Sequence, residues 1–318
     1  MMITKLVEKG LTAVEEELQA VVRSDVELLE DAGLHIITSG GKRLRPQLVL
    51  LSYLAAGGQD ITSVVPMAAA VEMVHTATLV HDDINDHSLT RRGKITVHAR
   101  WGRTFALLAG DYLFTKVYEM MAPYGPEYNV LMAEACTRLV EGETLQAAAA
   151  KAGSMDRETY KRIISLKTAS LFRAAAHMGA LMGGAGEASA KAMAEYAYNL
   201  GLTFQIVDDI LDIIGDPAMM GKPVGSDVAQ KRGVVMAHNG GRLVARHQEA
   251  GNTVAMAEQA DPIAQMLARL RESGAVEVAR LQAVETGQRA RAALDGVPDS
   301  PARAEMLRLV DKVLERQR

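Results

Sequence analysis

The sequence is poor in the residues that mark several large classes of protein. Of its 318 residues only 4% are aromatic, and Cys136 is the one cysteine. Few aromatics disfavour a β-sandwich or barrel, because aromatic residues are enriched in strands. A single cysteine excludes an intrachain disulfide and fits a reducing compartment. We therefore expect a cytoplasmic protein that is not built on β-sheets.

An excess of positive charge and a long apolar run near the N-terminus are missing too. The formal net charge is −4, so no polycationic field attracts nucleic acid, and an anionic ligand must be held by a local cluster. Lys5, Glu8 and Lys9 interrupt the N-terminal segment, which lacks the run of ~20 apolar residues that a span requires. The sequence predicts no nucleic-acid partner and no membrane span.

The composition that remains is typical of helices. Hydrophobic residues make up 48% of the chain and charged residues 23%, with long stretches of good helix formers. Apolar residues recur at helical spacing in segments 6–29, 48–56, 64–80, 105–121, 131–150, 160–182 and 190–214, and helices resume around 261–274, 276–294 and 302–318. Segment 216–252 is expected to be irregular or short helix. The pattern predicts an all-α helical bundle.

An Asp-Asp-x-x-Asp motif occurs twice, each time on an apolar helix. The six aspartates are Asp82, Asp83, Asp86, Asp208, Asp209 and Asp212. The first and last of each cluster lie one helical turn apart, ~6 Å, where like charges repel. Oxygen ligands without Cys or His favour Mg²⁺, which also binds substrate phosphates. A solvated helix end explains one copy as well as a site does, but two copies favour a metal-diphosphate ligand.

Basic motifs supply the cations that a diphosphate needs. GGKRLRP places Lys42, Arg43 and Arg45 on a glycine-rich turn leading into a helix, which suits phosphate oxygens. RRGK places Arg91 and Arg92 just after the first acidic cluster. The alternatives are a basic surface loop for the first motif and a loop-to-helix salt bridge for the second.

Two further polar positions lie in apolar helices. Lys167, followed by Thr168, would be costly to bury unless it is paired, or it reaches solvent along its stem. His75 lies seven residues before Asp82, two helical turns along the same face, where it could donate a hydrogen bond to a ligand. A satisfied core histidine is the equally compatible alternative.

Together these motifs resemble the trans-isoprenyl diphosphate synthases, specifically the polyprenyl synthase branch. GGKRLRP, HDDINDHSLTRRGK, GDYLF, EGETLQ, KTASLF, FQIVDDILDIIGD and GKPVGSD occur in the family's order over about residues 38–230, with a weaker match at the C-terminus. The resemblance implies one all-helical domain over residues 1–318, a bundle around a central deep cavity across which the two Asp-rich helices face each other. It also implies a homodimer.

The resemblance assigns the site residues in groups. Three Mg²⁺ ions would clamp an allylic diphosphate between the six aspartates. Arg91, Lys167, Gln205 and Lys222 would bind the same diphosphate, with Lys167, Thr168 and Gln205 catalytic near the reacting carbons. Isopentenyl diphosphate would be held by Lys42, Arg45, His75 and Arg92. The allylic C–O bond would ionise and the isopentenyl double bond would attack the carbocation.

Product length is predicted from the helix that carries the first cluster. Ala77 and Thr78 lie one turn below Asp82, where the growing tail must run. In the family, bulky aromatics here mark short-chain members, so these small residues leave the path open; Val74 continues it, and Met73 could be a partial floor. We expect a product longer than farnesyl diphosphate, a long-chain polyprenyl diphosphate, with geranylgeranyl diphosphate as the alternative. Such an apolar product could be released at a membrane surface.

One segment departs from the family pattern. After GKPVGSD the chain reads VAQKRGVVMAHNGG, where Arg232 would take the place of an expected lysine and a Thr-Leu-Pro is missing. This departure favours a second hypothesis, a non-catalytic or regulatory subunit of a hetero-oligomeric synthase, although all six aspartates are intact. A class I terpene cyclase is the third, but it does not require the isopentenyl site.

Overall fold

The computed structural model describes residues 2–153, 155–215, 233 and 262–316. The helices are α1 Met2–Val21, α2 Glu27–Ile37, α3 Leu44–Ala55, α4 Val65–Asn85, α5 Val97–Trp101, α6 Arg103–Met121, α7 Pro126–Ala152, α8 Arg157–Ile164, α9 Ser170–Met182, α10 Glu187–Ile214, α11 Pro262–Glu272, α12 Ala275–Ala293 and α13 Pro301–Leu314. Short 3₁₀ turns occupy Ile61–Val64 and Leu294–Gly296, and Ser165–Ala169 is π-helical. The predictions for Lys222 and Arg232, and for segment 216–252 apart from Gly233, lie outside the described residues.

The all-α prediction is confirmed, with local corrections. The predicted helix 6–29 is wrong, because the chain breaks between α1 and α2. Ser24 causes the break through local hydrogen bonds: its backbone N–H donates to Glu30 Oε2 at 3.1 Å, and its hydroxyl accepts from the Val26 N–H at 3.1 Å. Such bonds offer the backbone an alternative to the helix.

The contacts of the chain fall into two compact units. The first comprises Met1–Thr137, Leu171–Ala197 and Arg291–Leu309, and the second comprises Arg138–Ser170, Tyr198–Ala290 and Val310–Arg318. The first Asp cluster belongs to the first unit and the second cluster to the second unit. The single domain over 1–318 stays a prediction.

The first unit is built around α4. This helix is apolar on all sides and almost wholly buried, with α1, α3 and α6 packed on it. Within the described residues, Ile61–Asn85 is the one helical segment long and apolar enough to cross a membrane, and 83% of its most apolar window is buried. A buried core helix passes the same test, so this segment is weak evidence for a span. Its burial fixes the position of the aspartates at its C-terminal end.

In the second unit, α8 and α10 pack together with α11 and α12. Ile163, Ile210 and Leu270 are among the buried residues of this core. Between α8 and α9 the helix widens into the π-helical turn Ser165–Ala169, which the periodicity did not predict. Gly142 of α7 touches this turn, since a Cβ there would lie 2.6 Å from the Lys167 backbone nitrogen. π-turns occur frequently at functional sites.

Candidate active site

The first Asp cluster closes α4. Asp82 and Asp86 are half-buried, and the Asp86 N–H still donates to the Asp82 carbonyl at 2.8 Å, so the helical register holds through Asp86. Asp83 is buried, and its Oδ1 accepts from Arg91 Nε at 2.7 Å. Burial raises the pKa of Asp83, and the Arg91 guanidinium opposes that rise. The loop-to-helix salt bridge considered for RRGK therefore exists, and it involves Arg91.

A β-hairpin that the sequence did not predict carries the RRGK motif. Thr90–Arg91 pairs with Lys94–Ile95, and the turn residues Arg92 and Gly93 have φ of 51° and 75°. The Arg92 guanidinium donates to the Gly40 carbonyl and lies against Gly41, where a Cβ would be 2.7 Å from its nitrogen. The hairpin thus meets the glycine-rich turn, and the two predicted basic motifs come together.

Beneath this turn, Arg43 forms a buried ion network. Arg43 is the residue before α3, with φ of 48°, and its side chain is 8% exposed. It donates to Glu72 Oε1 at 2.8 Å, to Glu15 and to the Ile37 carbonyl at 2.9 Å. Glu72 is 3% exposed, and its Oε2 has no hydrogen-bond partner among the described residues. Arg43 is therefore a structural cation of the basic motif.

The predicted isopentenyl-site residues surround Glu72 and His75. Burial lowers the pKa of Arg45 to about 10, and the charges of Glu72 and Arg92 act on it in opposite directions. The Arg45 guanidinium lies 4.8 Å from the Phe172 ring centroid, while Lys42 is exposed. Burial lowers the pKa of Arg92 as well. A cluster of cations with one buried carboxylate is able to hold an anion.

His75 is a neutral residue within this cluster. Burial, followed by the charges of Arg45, Arg92, Arg91 and Arg43, holds its pKa well below 6.5. Below pH ~6.5 the unfolded chain takes up a proton at this histidine while the folded protein does not. The free energy of unfolding therefore falls as the pH falls through this range.

Replacing His75 by glutamine should weaken the acid sensitivity of the fold. Glutamine keeps hydrogen-bonding capacity but does not titrate. Between pH 7.5 and 5.5 the free energy of unfolding should fall by about 1 kcal/mol more in the wild type than in His75→Gln, because only the wild type carries this proton uptake. Urea unfolding at the two pH values measures this. His177, whose pKa burial also lowers, contributes equally to both proteins. Equal losses would show that His75 is protonated in the fold.

The predicted chain-length residues all lie in the buried part of α4. Met73, Val74 and Ala77 are 0% exposed, and Thr78 is 8% exposed. The Thr78 hydroxyl donates to the carbonyl of His75 at 2.8 Å, which turns it toward its own helix. Thr78 is therefore the one of the four with measurable surface.

The second Asp cluster lies on α10. Asp209 and Asp212 are buried, at 5% and 0% exposure, and Asp208 is half-buried. Asp208 Oδ1 accepts from Arg316 Nη2 at 3.0 Å, and this guanidinium also lies 4.6 Å from the Phe204 ring centroid. An arginine from the end of the chain therefore supplies a counter-charge within the second unit.

The π-helical turn presents Lys167 and Thr168 to partners in the second unit. Lys167 forms an ion pair with Glu143 of α7, at side-chain exposures of 23% and 17%, so the ammonium is paired as burial requires. The Thr168 hydroxyl donates to Gln205 Oε1 at 2.9 Å. Gln205 Nε2 donates to Asp209 Oδ1 at 2.8 Å. The predicted catalytic residues are thus joined to the second Asp cluster.

The first cluster fits a hard divalent cation. Its donors are carboxylate oxygens alone, and Asp83 Oδ2 is buried without a hydrogen-bond partner among the described residues. In the same part of the chain no three Asp, Glu, His or Cys side chains are close enough to hold an ion by themselves. This suits Mg²⁺, which usually binds through one or two carboxylates plus substrate phosphates.

Sequence reasoning missed several residues that contact the predicted site. They are Glu72, Glu143, Tyr160 and Arg316. Glu72 and Glu143 each lie in an otherwise apolar or small-residue stretch of helix, which is the signal that could have found them. Tyr160 and Arg316 carry no comparable signal, because their partners are 49 and 108 residues away.

Comparison with known proteins gives one family throughout. The family model described as Polyprenyl synthetase matches residues 26–261. The chain is 36% identical over 297 residues to a short chain isoprenyl diphosphate synthase of Methanothermobacter thermautotrophicus, covering 92% of this chain and 91% of the relative. It is 33% identical over 325 residues to octaprenyl diphosphate synthase of Escherichia coli, covering 99% and 98%.

A third relative and a solved structure extend this similarity. Heptaprenyl diphosphate synthase component 2 of Geobacillus stearothermophilus is 36% identical over 297 residues, covering 92% of this chain and 91% of the relative. The crystal structure of a polyprenyl synthase from Caulobacter crescentus, complexed with calcium and isoprenyl diphosphate, superposes with a TM-score of 0.89 at 32% identity, covering 99% and 97%.

Proposed function

Because this chain belongs to the polyprenyl synthetase family and is a prenyltransferase, we propose that it condenses isopentenyl diphosphate with an allylic diphosphate to give a trans-polyprenyl diphosphate longer than farnesyl diphosphate. The observation that carries the proposal is the meeting of the glycine-rich turn and the RRGK hairpin, through Arg92 and Gly40, beside the aspartates of α4. That arrangement suits a metal-bound diphosphate.

The cations of the first unit bind the diphosphate of isopentenyl diphosphate in this proposal. Arg45 and Arg92 supply fixed positive charge, and Lys42 reaches the same ligand from the glycine-rich turn. His75 is neutral and so donates a hydrogen bond without adding charge. Desolvated guanidinium groups make strong bonds to phosphate oxygens, so binding is expected to depend strongly on Arg45.

The allylic diphosphate is bound by the aspartates through Mg²⁺ and by the remaining cations. Bound Mg²⁺ supplies charge stabilisation for the departing diphosphate. Within the chain, Arg91 and Lys167 add positive charge, and Gln205 and Thr168 lie beside Asp209 through their hydrogen bonds. The solved calcium complex of a family member supports a divalent metal at such a site. The number of ions per site, three by family resemblance, belongs to this proposal.

The apolar helices have a chemical task as well as a structural one. An allylic carbocation reacts with water, so the reaction needs a water-poor environment. The buried faces of α4 and α10 supply apolar surface directly next to the aspartates. The isopentenyl double bond then attacks the cation, and the released diphosphate takes the proton.

Product length is proposed from the size of the side chains below Asp82. Ala77 and Thr78 are small, and the relative named octaprenyl diphosphate synthase makes a long product by its name. The relative named as a short chain synthase favours the alternative, geranylgeranyl diphosphate. A long product is preferred because no bulky ring stands one turn below the cluster.

Replacing Ala77 by phenylalanine should shorten the product. A ring at this fully buried position fills space directly beneath the first Asp cluster, so elongation should stop several isoprene units earlier. Thin-layer or reversed-phase chromatography of dephosphorylated products measures this. Overpacking costs roughly 1–3 kcal/mol, so thermal unfolding must show that the variant folds, and Thr78→Phe provides a second variant on the same path. Unchanged product length from folded variants of both kinds would refute the path.

One incubation separates the proposed function from its alternatives. Purified protein is given Mg²⁺, farnesyl diphosphate and isotopically labelled isopentenyl diphosphate. Label in a longer prenyl diphosphate supports the synthase. A hydrocarbon formed without label would indicate a terpene cyclase, and an inert chain would exclude catalysis by this chain alone.

A second candidate is a component of a hetero-oligomeric synthase, including the non-catalytic or regulatory form. The similarity to a protein named component 2 favours it. We prefer a homodimer, because α6 exposes Leu107, Leu108 and Tyr118 at 45%, 57% and 77% in the first unit, a face that a second copy could cover. Activity of the isolated chain at a dimer's mass would support the homodimer. A cytoplasmic location stays a prediction.

A further inference from the structure

A chain of hydrogen bonds joins four side chains in the second unit. The Tyr160 hydroxyl of α8 donates to Asp209 Oδ2 at 2.7 Å. Gln205 Nε2 donates to Asp209 Oδ1 at 2.8 Å, and Gln205 Oε1 accepts from the Thr168 hydroxyl at 2.9 Å. Both carboxylate oxygens of Asp209 are therefore engaged by donors of the protein itself.

Burial makes this chain of bonds consequential. Tyr160 is 4% exposed, Asp209 5% and Thr168 6%. A buried carboxylate is costly unless hydrogen bonds satisfy it, and bonds to a charged acceptor are stronger than neutral ones. Asp209 therefore holds Tyr160 and Gln205 in fixed positions, and Gln205 in turn fixes the hydroxyl on the π-helical turn.

We propose that Tyr160 is a positioning residue and that Asp209 is the junction of this hydrogen-bond chain rather than a ligand of the metal. The inference rests on the proposed function. Tyr160 acts through Asp209 and Gln205 on the π-helical turn that carries Thr168 and Lys167. The second cluster is thereby divided: Asp209 organises protein side chains, and the metal role falls to its neighbours Asp208 and Asp212.

The π-helical turn explains why such a tether is useful. A π-turn forms wider, less regular hydrogen bonds than an α-helix, so Ser165–Ala169 needs side-chain contacts to fix its geometry. Glu143 holds Lys167 from α7, and Gln205 holds Thr168 from α10. Tyr160 lies on α8, directly before the turn, and bonds to the same α10. The tether therefore fixes both ends of the turn relative to α10.

The test compares Tyr160→Phe with a matched control, Tyr196→Phe. Both remove one hydroxyl from a buried tyrosine; the Tyr196 hydroxyl donates to the Met306 carbonyl at 2.6 Å in the first unit. Thermal unfolding should fall similarly in both. Only Tyr160→Phe should lower kcat, by about 10- to 100-fold, the scale of one lost bond to a charged group, with the KM of isopentenyl diphosphate within about twofold. Equal kcat in the two variants would overturn the positioning role.

A double-variant cycle shows whether Tyr160 acts through the chain. Thr168→Val removes the hydroxyl at the other end. If both residues serve one tether, the double variant should lose much less than the product of the two single losses in kcat. Multiplicative losses would mean that the residues act independently and would overturn the tether.

Metal affinity tests the role of Asp209 without turnover. Calorimetry measures Mg²⁺ binding in the presence of a farnesyl thiolodiphosphate, whose C–S bond resists ionisation. Asp209→Asn should keep the Mg²⁺ affinity within about threefold, whereas Asp82→Ala should lose it by at least about tenfold. A loss as large in Asp209→Asn would make Asp209 a ligand. If the wild type elongates nothing, the proposed function fails; if it elongates and Tyr160→Phe does too at full rate, only this inference fails.

Discussion

Replacing Asp82 by alanine is expected to lower kcat by about 1000-fold or more while the fold survives. Asp82 is half-buried at the end of α4, one helical turn from Asp86. Losing a metal-binding carboxylate removes charge stabilisation from the departing diphosphate, which is a large share of this catalysis. The same change relieves the repulsion between two like charges at i and i+4, so the metal-free protein loses no stability from it.

Two measurements together decide this result. Steady-state elongation at saturating Mg²⁺ gives the rate, and thermal unfolding of the metal-free protein gives the stability. Asp31→Ala, at an exposed position of α2 in the same unit, is the control and should keep both. An Asp82→Ala protein that unfolds would show that the cluster is structural. A folded variant that retains its rate would remove Asp82 from the metal site.

Replacing Arg43 by methionine should destabilise the protein by about 3–5 kcal/mol. Methionine keeps much of the volume of the arginine stem and meets the same left-handed backbone, so the main change is the loss of charge. Glu72, 3% exposed, then keeps its negative charge without the cation that bonds to its Oε1. Glu15 is 34% exposed and can be solvated by water, so its share of the loss is small.

Removing the stranded charge should recover much of that loss. In Arg43→Met with Glu72→Gln, no uncompensated carboxylate remains in the core, so the free energy of unfolding should rise above that of the single variant. Arg23→Met is the control, because its ion pair with Glu30 lies at 71% and 22% exposure and should cost below about 1 kcal/mol. Urea unfolding measures all three. If Arg43→Met costs no more than the control, the buried network does not stabilise the fold.

The same network shows how far prediction from sequence reaches at the basic turn. GGKRLRP predicts cations on a turn before a helix, and the structure has Arg43 directly before Leu44–Ala55. The motif does not distinguish its arginines. Arg43 turns inward to Glu72, whereas Arg45 lies against Phe172, and a partner 29 residues away makes this difference.

Helix boundaries give a similar lesson. The apolar spacing predicts α4 and α10 closely, because a helix buried on all sides needs little else to define it. It joins α1 to α2 wrongly, since the hydrogen bonds of Ser24 depend on where Glu30 lies in the fold. It also misses the π-helical turn, where close approach of Gly142 to Lys167 accommodates the widened backbone.

The sequence by itself determined the helical class, the family motifs and the two clusters of aspartates at the ends of apolar helices. Periodicity and spacing are local properties, and they suffice for such statements. Only the tertiary structure decided which aspartates are engaged: Asp83 with Arg91, Asp208 with Arg316 and Asp209 with Tyr160. These partners are brought together by packing over separations of 8, 108 and 49 residues, and burial then makes each pairing obligatory, because an unpaired charge there is costly.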